Sequence, residues 1–349
     1  MKKERNVYFD IVKAVSIILV IVGHCIQTGS GMEYKSYALF FDNPVFKFIY
    51  SFHMPLFMLI SGYLFYFSCK KKKCYELLYS RFKQIIIPLM SWSVVSLLIY
   101  IFKSDISIIN ESLSFVLIVR KLLDYFLNGP WFLWAIWWCS LVIIIVRKLF
   151  KDNLIIYVFI CFLTFILPDV LNFQLYKYMW PFFLIAYLFN KYNYKDKLKK
   201  IYLNKFFIFS CITIFMIMLS FFNYNIYIYT SGFTIINKEP LMQIYNNSFR
   251  FIIGIFGSIS MMYLIYISMD KIPNSIIKIF SILGKNTLGI YIISGYIFDE
   301  LLMKVTYYLP SVNYFYVLME SLCILCISFL INEILKKIKI TNYLFLGGR

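Results

Sequence analysis

Residues 7–28 read VYFDIVKAVSIILVIVGHCIQT. A bilayer crossing takes about 20 mostly apolar residues, and this run is long enough, yet it carries Asp10, Lys13 and His24 inside it. A short secretory signal core does not contain such groups, so the stretch reads as a retained first span. At about 100° per residue, Lys13 and His24 fall ~20° apart around the axis, and Asp10 and His24 ~40° apart on the other side. All three share one stripe. Asp10 and Lys13 meet at i, i+3, while His24 stands about 16 Å beyond Lys13 along the axis. Charges placed in hydrocarbon are costly and are paired or functional when they occur.

The rest of the chain has the same solvent. Of 349 residues, 61% are hydrophobic, 21% aromatic and 15% charged, with a mean hydropathy of +0.75. A soluble domain carries about a quarter charged residues, so a water-soluble globule and a disordered chain are both excluded. The pattern predicts an all-α integral membrane protein of about ten spans: 7–28, 46–68, 84–102, 130–147, 154–168, 179–190, 206–223, 248–269, 286–303 and 314–335. The segment 114–128, which is amphipathic and holds Arg120, Lys121 and Asp124, is placed along the interface instead.

Charge supports this walk. With the N-terminus inside and strict alternation, 25 of the 35 Lys and Arg residues fall on the inner side and nine outside, with Lys13 within a span. That asymmetry is the positive-inside signature, with both termini inside. It accounts for the net charge of +18 without a nucleic-acid partner. The heavy use of Ile, Lys, Asn, Tyr and Phe suits an AT-rich bacterial genome and a multi-pass plasma-membrane protein. No internal repeat or appended soluble domain stands out. The eight cysteines form no extracellular disulfide framework, and Cys323 and Cys326, a CxxC inside an apolar helix, read as a packed pair. No metal site is expected.

The protein has two histidines. His53 lies about 10 Å below the outer edge of the second span, at the depth His24 reaches on the first. Either could be a core residue satisfied by a backbone carbonyl. Two at matched depth above an ionic pair point instead to proton transfer. Pro55 is expected to bend the helix beside His53, and Ser61-Gly62 permits close helix contact. Arg81 and Lys83, just ahead of the third span, suit phosphate groups at the membrane surface. Trp131, Trp134, Trp137 and Trp138 read as an aromatic belt or as a platform for stacking sugars. Glu320 is a possible orienting carboxylate for a histidine, with Asp299 and Glu300 as rivals.

These residues resemble a family. Asp10-Ile11-Val12-Lys13 with Gly23-His24, then FHMPLFMLISGYLF (52–65), RFKQIIIP (81–88), PWFL (130–133) and LGKNTLGIYI (283–292) look like the membrane-bound acyltransferase 3 family. The style is closest to its fucose 4-O-acetylase-like branch, and the resemblance covers essentially the whole chain. It implies a ten-helix enzyme that takes an acyl group, usually acetyl, from acyl-CoA at the inner face and passes it to a hydroxyl of a glycan. On this resemblance His24 is the central catalytic residue, with His53 and Asp10 beside it. Lys13, Arg81 and Lys83 are acyl-CoA contacts, and acetyl-CoA is a co-substrate. The family's paired-arginine element falls on Arg81 and Gln84, and its late Tyr-x-x-His on Tyr291 and Ser294. A separate extracytoplasmic or glycan-synthesis protein is an expected partner. Two other readings remain open: a transporter or flippase, and a non-catalytic module that binds substrate for another enzyme.

Overall fold

Several helices begin at an asparagine. Asn43 accepts from the Val45 and Phe46 amides, with Pro44 at the first helical position. Asn153, Asn204 and Asn313 cap in the same way. Each satisfies backbone donors that a helix start leaves without intrahelical partners. The computed structural model describes residues 6–28, 39–103, 115–167, 173–192, 204–227, 229, 231–234, 239–298 and 312–348. The regular elements among them are all helical.

The principal helices are α1 (Val7–Thr28), α2 (Pro44–Lys71), α3 (Cys74–Arg81), α4 (Ile87–Lys103), α5 (Phe115–Leu127), α6 (Trp131–Leu149), α7 (Leu154–Ile166), α8 (Phe173–Lys191), α9 (Lys205–Ser220), α10 (Pro240–Met269), α11 (Asn274–Lys285), α12 (Thr287–Ile297), α13 (Tyr314–Lys337) and α14 (Lys339–Leu346). A π-helical turn, Phe82–Ile86, joins α3 to α4. Six helical runs among the described residues are long and apolar enough to cross a membrane: α1, α2, α3 continued through α4, α6, α10 and α13. The α11–α12 pair passes the same test as one span broken by a 73° bend.

The predicted spans 154–168, 179–190 and 206–223 correspond to α7, α8 and α9. α7 and α9, at 13 and 16 residues, reach only about 20–24 Å at 1.5 Å per residue, against roughly 30 Å of hydrocarbon. α8 is longer than expected and starts with Gln174 and Lys177 in its first turns. The segment 270–285, taken from sequence as a polar connection, contains α11. Its Ile277, Phe280 and Leu283 recur at helical spacing and pack on the core. α5 lies against α4 with none of its residues buried, and Lys121 Nζ sits 5.0 Å from the Tyr100 ring centroid.

α2 is the centre of the bundle, packed against α1, α8 and α10. In lipid, helices gain little from hydrophobic burial against each other, so close backbone approach and dispersion contacts matter more. Two glycines supply that approach. A methyl group on Gly62 would overlap the Phe183 carbonyl of α8, and one on Gly284 would overlap the Asp10 carbonyl of α1. Pro55 lies inside α2, which runs through it as one helix. α13 and α14 close the bundle against α12 and α4, with Trp92 Nε1 donating to the Phe345 carbonyl at 3.2 Å.

Candidate active site

The stripe on α1 faces two chambers. The larger, about 680 Å³, is lined by Lys13, Arg81, Lys285 and Lys336, with Ser61 of α2 in its wall and Gly348 at its edge. The smaller, about 250 Å³, holds His24, His53, Gln27, Tyr50, Trp131 and Tyr229. Met54 and Tyr291 line both. They mark the junction between a cationic chamber and an imidazole chamber.

The cations of this chamber come from α1, α3, α11 and α13. Asp10 is 2% exposed and its Oδ1 lies 3.4 Å from Lys13 Nζ. Asp10 therefore fixes the amine near the start of α1, in the turn that touches Gly284. Arg81 ends α3, with its guanidinium 4.5 Å from the Phe65 ring centroid, a cation–π arrangement that holds the planar group. The π-turn that follows brings Gln84 and Ile85 into the wall. Such turns inside a helix are frequent at functional sites.

Lys336 reaches the chamber from α13. It donates to Asn286 Oδ1 and lies 3.5 Å from Glu333 Oε1. Asn286 stands at the α11–α12 elbow. It also accepts from Asn332 Nδ2 at 2.8 Å and donates to the Ile282 carbonyl at 3.0 Å. The elbow is thus tied to a cation of the chamber. Lys83, expected beside Arg81, does not line it. Its ammonium lies 4.7 Å from the Tyr343 ring centroid, against the tail that follows α14.

The imidazole chamber brings the two histidines together across α1 and α2. His53 is 3% exposed, and its Nδ1 lies 2.8 Å from the Ile49 carbonyl one turn back. A carbonyl only accepts, so Nδ1 carries the hydrogen and Nε2 the lone pair. The Tyr229 hydroxyl is 3.2 Å from the same Nδ1. His24 is half-buried, edge-on to Tyr50 at 6.4 Å and tilted against Phe298 at 5.0 Å. Tyr50 donates to Gln27 Oε1 at 3.3 Å. Tyr229 stacks between Tyr50 and Tyr178, at 5.7 Å from each.

Of the four tryptophans, only Trp131 lines this chamber. Trp134 donates to the Phe126 carbonyl at 3.0 Å, and Trp137 and Trp138 face Phe82 and Phe173. Glu320 does not line the chamber either. It precedes Ser321, which lies near the thiol of Cys25, the residue after His24, and donates to the Val317 carbonyl at 2.6 Å. Its Oε2 is buried with no hydrogen-bond partner among the described residues. Asp299 and Glu300 lie outside the described residues. Among those described, no three His, Cys, Asp or Glu side chains are grouped to hold a metal ion.

Sequence reasoning did not single out Lys285, Lys336 or Tyr229 as site residues. Lys285 sits inside the quoted LGKNTLGIYI run, which gave the one available signal. Lys336 looked like an ordinary inner-face lysine, and Tyr229 falls in the stretch 224–247, which read from sequence as a polar outer loop.

Apolar helices of spanning length around two adjoining chambers, one lined by cations and one by imidazoles, define a multi-pass membrane protein with a buried polar site. The chain belongs to the acyltransferase 3 family: residues 6–343 match its model, described as an acyltransferase domain. It is similar to the nodulation protein NolL of Sinorhizobium fredii, 32% identical over 193 residues that cover 53% of this chain and 49% of that protein. It is also similar to the nodulation protein NolL of Mesorhizobium japonicum, 31% identical over 186 residues, 53% of this chain and 48% of that protein. The chain spans about half the length of these curated relatives. No solved structure matches it.

Proposed function

We propose that this protein is a bacterial plasma-membrane O-acyltransferase that moves an acetyl group from cytoplasmic acetyl-CoA to a hydroxyl of a cell-surface glycan. The observation that carries this reading is the shared wall of Met54 and Tyr291. Across it, a chamber suited to an anionic donor lies beside a chamber suited to proton transfer. Lys13, Arg81, Lys285 and Lys336 attract the donor phosphates, and Arg81 does so with a planar, multi-donor group. Asp10 holds Lys13. Lys83 acts only through its charge at the rim.

In the imidazole chamber His24 is the general base. It takes the proton of the acceptor hydroxyl as that oxygen attacks the thioester carbonyl. The new C–O bond forms, the C–S bond breaks, and the proton passes from the imidazole to the departing CoA sulfur. The products are an ester and a free thiol. His53, with Nδ1 held by Ile49, offers its Nε2 lone pair to a neighbouring hydroxyl of the acceptor sugar. Glu320, next to the turn of α1 that carries Cys25, supplies negative potential there. Trp131 and Tyr229 offer ring faces for a sugar.

On this reading the chain crosses ten times with both termini inside, through the six long helices, the bent α11–α12 pair, α8, and the short α7 and α9 with the bilayer thinned around them; the asymmetry of Lys and Arg supports the orientation. Incubation of the purified chain with radiolabelled acetyl-CoA and glycans is expected to move label to glycan. His24→Ala is expected to lower that transfer by at least ~10²-fold, the lower range of a general base's contribution, while the protein stays inserted. Retained transfer refutes the role of His24. Solute flux into proteoliposomes without any labelled product overturns the enzyme in favour of a carrier.

A further inference from the structure

A third chamber, about 360 Å³, lies next to the imidazole chamber, lined by Gln174, Ser231, Gly232, Thr234, Gln243, Asn246, Asn247 and Arg250. Adjacent residues connect the two: Leu175 and Tyr229 line the histidine side, Gln174 and Ser231 the other. It sits at the first turns of α8 and α10. The opposite end of α10 meets the start of α1, where the Tyr8 hydroxyl donates to the Met262 carbonyl at 2.9 Å. The third chamber is therefore at the end of the bundle away from Asp10 and Lys13. Its volume is within the ~300–1,000 Å³ range of small-molecule sites.

The walls are braced by their own amides. Gln243 accepts from the Thr234 amide at 2.8 Å and donates to the Thr234 carbonyl at 3.2 Å. Asn247 donates to the Gly232 carbonyl at 2.8 Å, and the Ser231 amide donates to the Gln174 carbonyl at 3.1 Å. Arg250 Nε and Nη2 donate to the Ile226 and Asn225 carbonyls at 2.7 and 2.9 Å. The side-chain amide of Gln174 takes no part in this bracing. Its Oε1 is buried and accepts from no donor among the described residues.

A buried acceptor oxygen is costly until a donor reaches it. Hydroxyl groups supply such a donor, whereas carboxylates and phosphates do not. Among the described residues no carboxylate lines the chamber to hold a cation, the lining Arg250 is engaged by the Ile226 and Asn225 carbonyls, and the amide of Asn246 offers both donor and acceptor capacity in the same wall set as Gln174. We propose that this chamber is a second acceptor subsite that takes an uncharged, hydroxyl-rich sugar ring, neighbour to the ring whose hydroxyl reaches His24. The inference rests on the transferase reading and assigns its acceptor class: a neutral glycan of at least two units.

The test uses the full chain in nanodiscs, bound to an array of defined neutral and acidic mono- and oligosaccharides. The wild-type chain is expected to retain neutral disaccharides or longer glycans above monosaccharides. Gln174→Leu and Asn246→Leu, which keep the side-chain volume and leave the loop bracing intact, are each expected to weaken that binding at least tenfold. In acetyl-transfer assays they raise the KM for the longer glycan by a similar factor and leave the KM for acetyl-CoA in place. His24→Ala is expected to retain glycan binding. Unchanged binding in both leucine variants, a preference for acidic glycans, or no neutral-glycan binding by the wild-type chain overturns the subsite. Binding lost in the leucine variants without any acetyl transfer by the wild-type chain keeps the subsite and removes the enzyme.

Discussion

At Arg81 a single side chain carries two properties that a lysine does not combine: a planar fork of donors and a face that stacks on Phe65. Arg81→Lys keeps the charge and loses both. It is expected to raise the KM for acetyl-CoA about tenfold, the size of one lost charge-assisted hydrogen bond. Lys83→Ala is expected to change the same KM by less than about twofold, because its ammonium faces the Tyr343 ring and is open to screening. Steady-state kinetics over a range of acetyl-CoA concentrations checks both, and a larger effect at Lys83 than at Arg81 would reverse the assignment. This pair also marks where residue-level reading of the sequence runs out. Arg81 and Lys83 are two positions apart on the chain, and composition alone treats them as equals. A π-turn decides which one meets the cavity. His24 and His53 were legible because helical rise and rotation place them without tertiary information. Tyr229 was not, since its position depends on tertiary packing against Tyr50, His53 and Tyr178.

Among the elements, the broken α11–α12 pair depends most on one small residue. Gly284 lets the end of α11 touch the backbone of α1 at Asp10, and Gly62 does the same for α2 against α8. Gly62→Ala and Gly284→Ala are each expected to cost ~1–3 kcal/mol or more by overpacking, seen as a lower melting temperature in detergent. Gly295→Ala is the matched control. A Cβ there meets nothing within 4 Å, so the gain in helix propensity, up to ~1 kcal/mol, is expected to leave the melting temperature equal or higher. Equal losses at all three positions would show that the close contacts do not set stability. The spans of high hydropathy were readable from length and apolarity. α11 was not, because twelve residues with a lysine at 278 and another at 285 read as a polar connection until α1 supplies the surface that their apolar side covers. The short α7 and α9 were legible as apolar stretches, though their ends are fixed by caps and neighbours that hydropathy does not report.

For the molecule as a whole, the asymmetric charge count makes a definite claim about sidedness. In a cysteine-free background of intact cells, cysteines at positions 72 and 270 are expected to resist a membrane-impermeant thiol reagent, and cysteines at 128 and 224 to react. The reverse pattern would invert every statement about donor and acceptor sides. Class and site region were legible because lipid punishes misplaced charge so heavily that few arrangements of these residues are possible. The two-chamber layout was not, since it depends on helix packing distances. Gly348 borders the cationic chamber with its amide donating to the Asn342 carbonyl at 2.9 Å. An affinity handle or fluorescent fusion joined at residue 349 therefore starts out at the edge of this chamber, and a preparation tagged there is expected to react sluggishly with CoA esters for reasons unrelated to its chemistry.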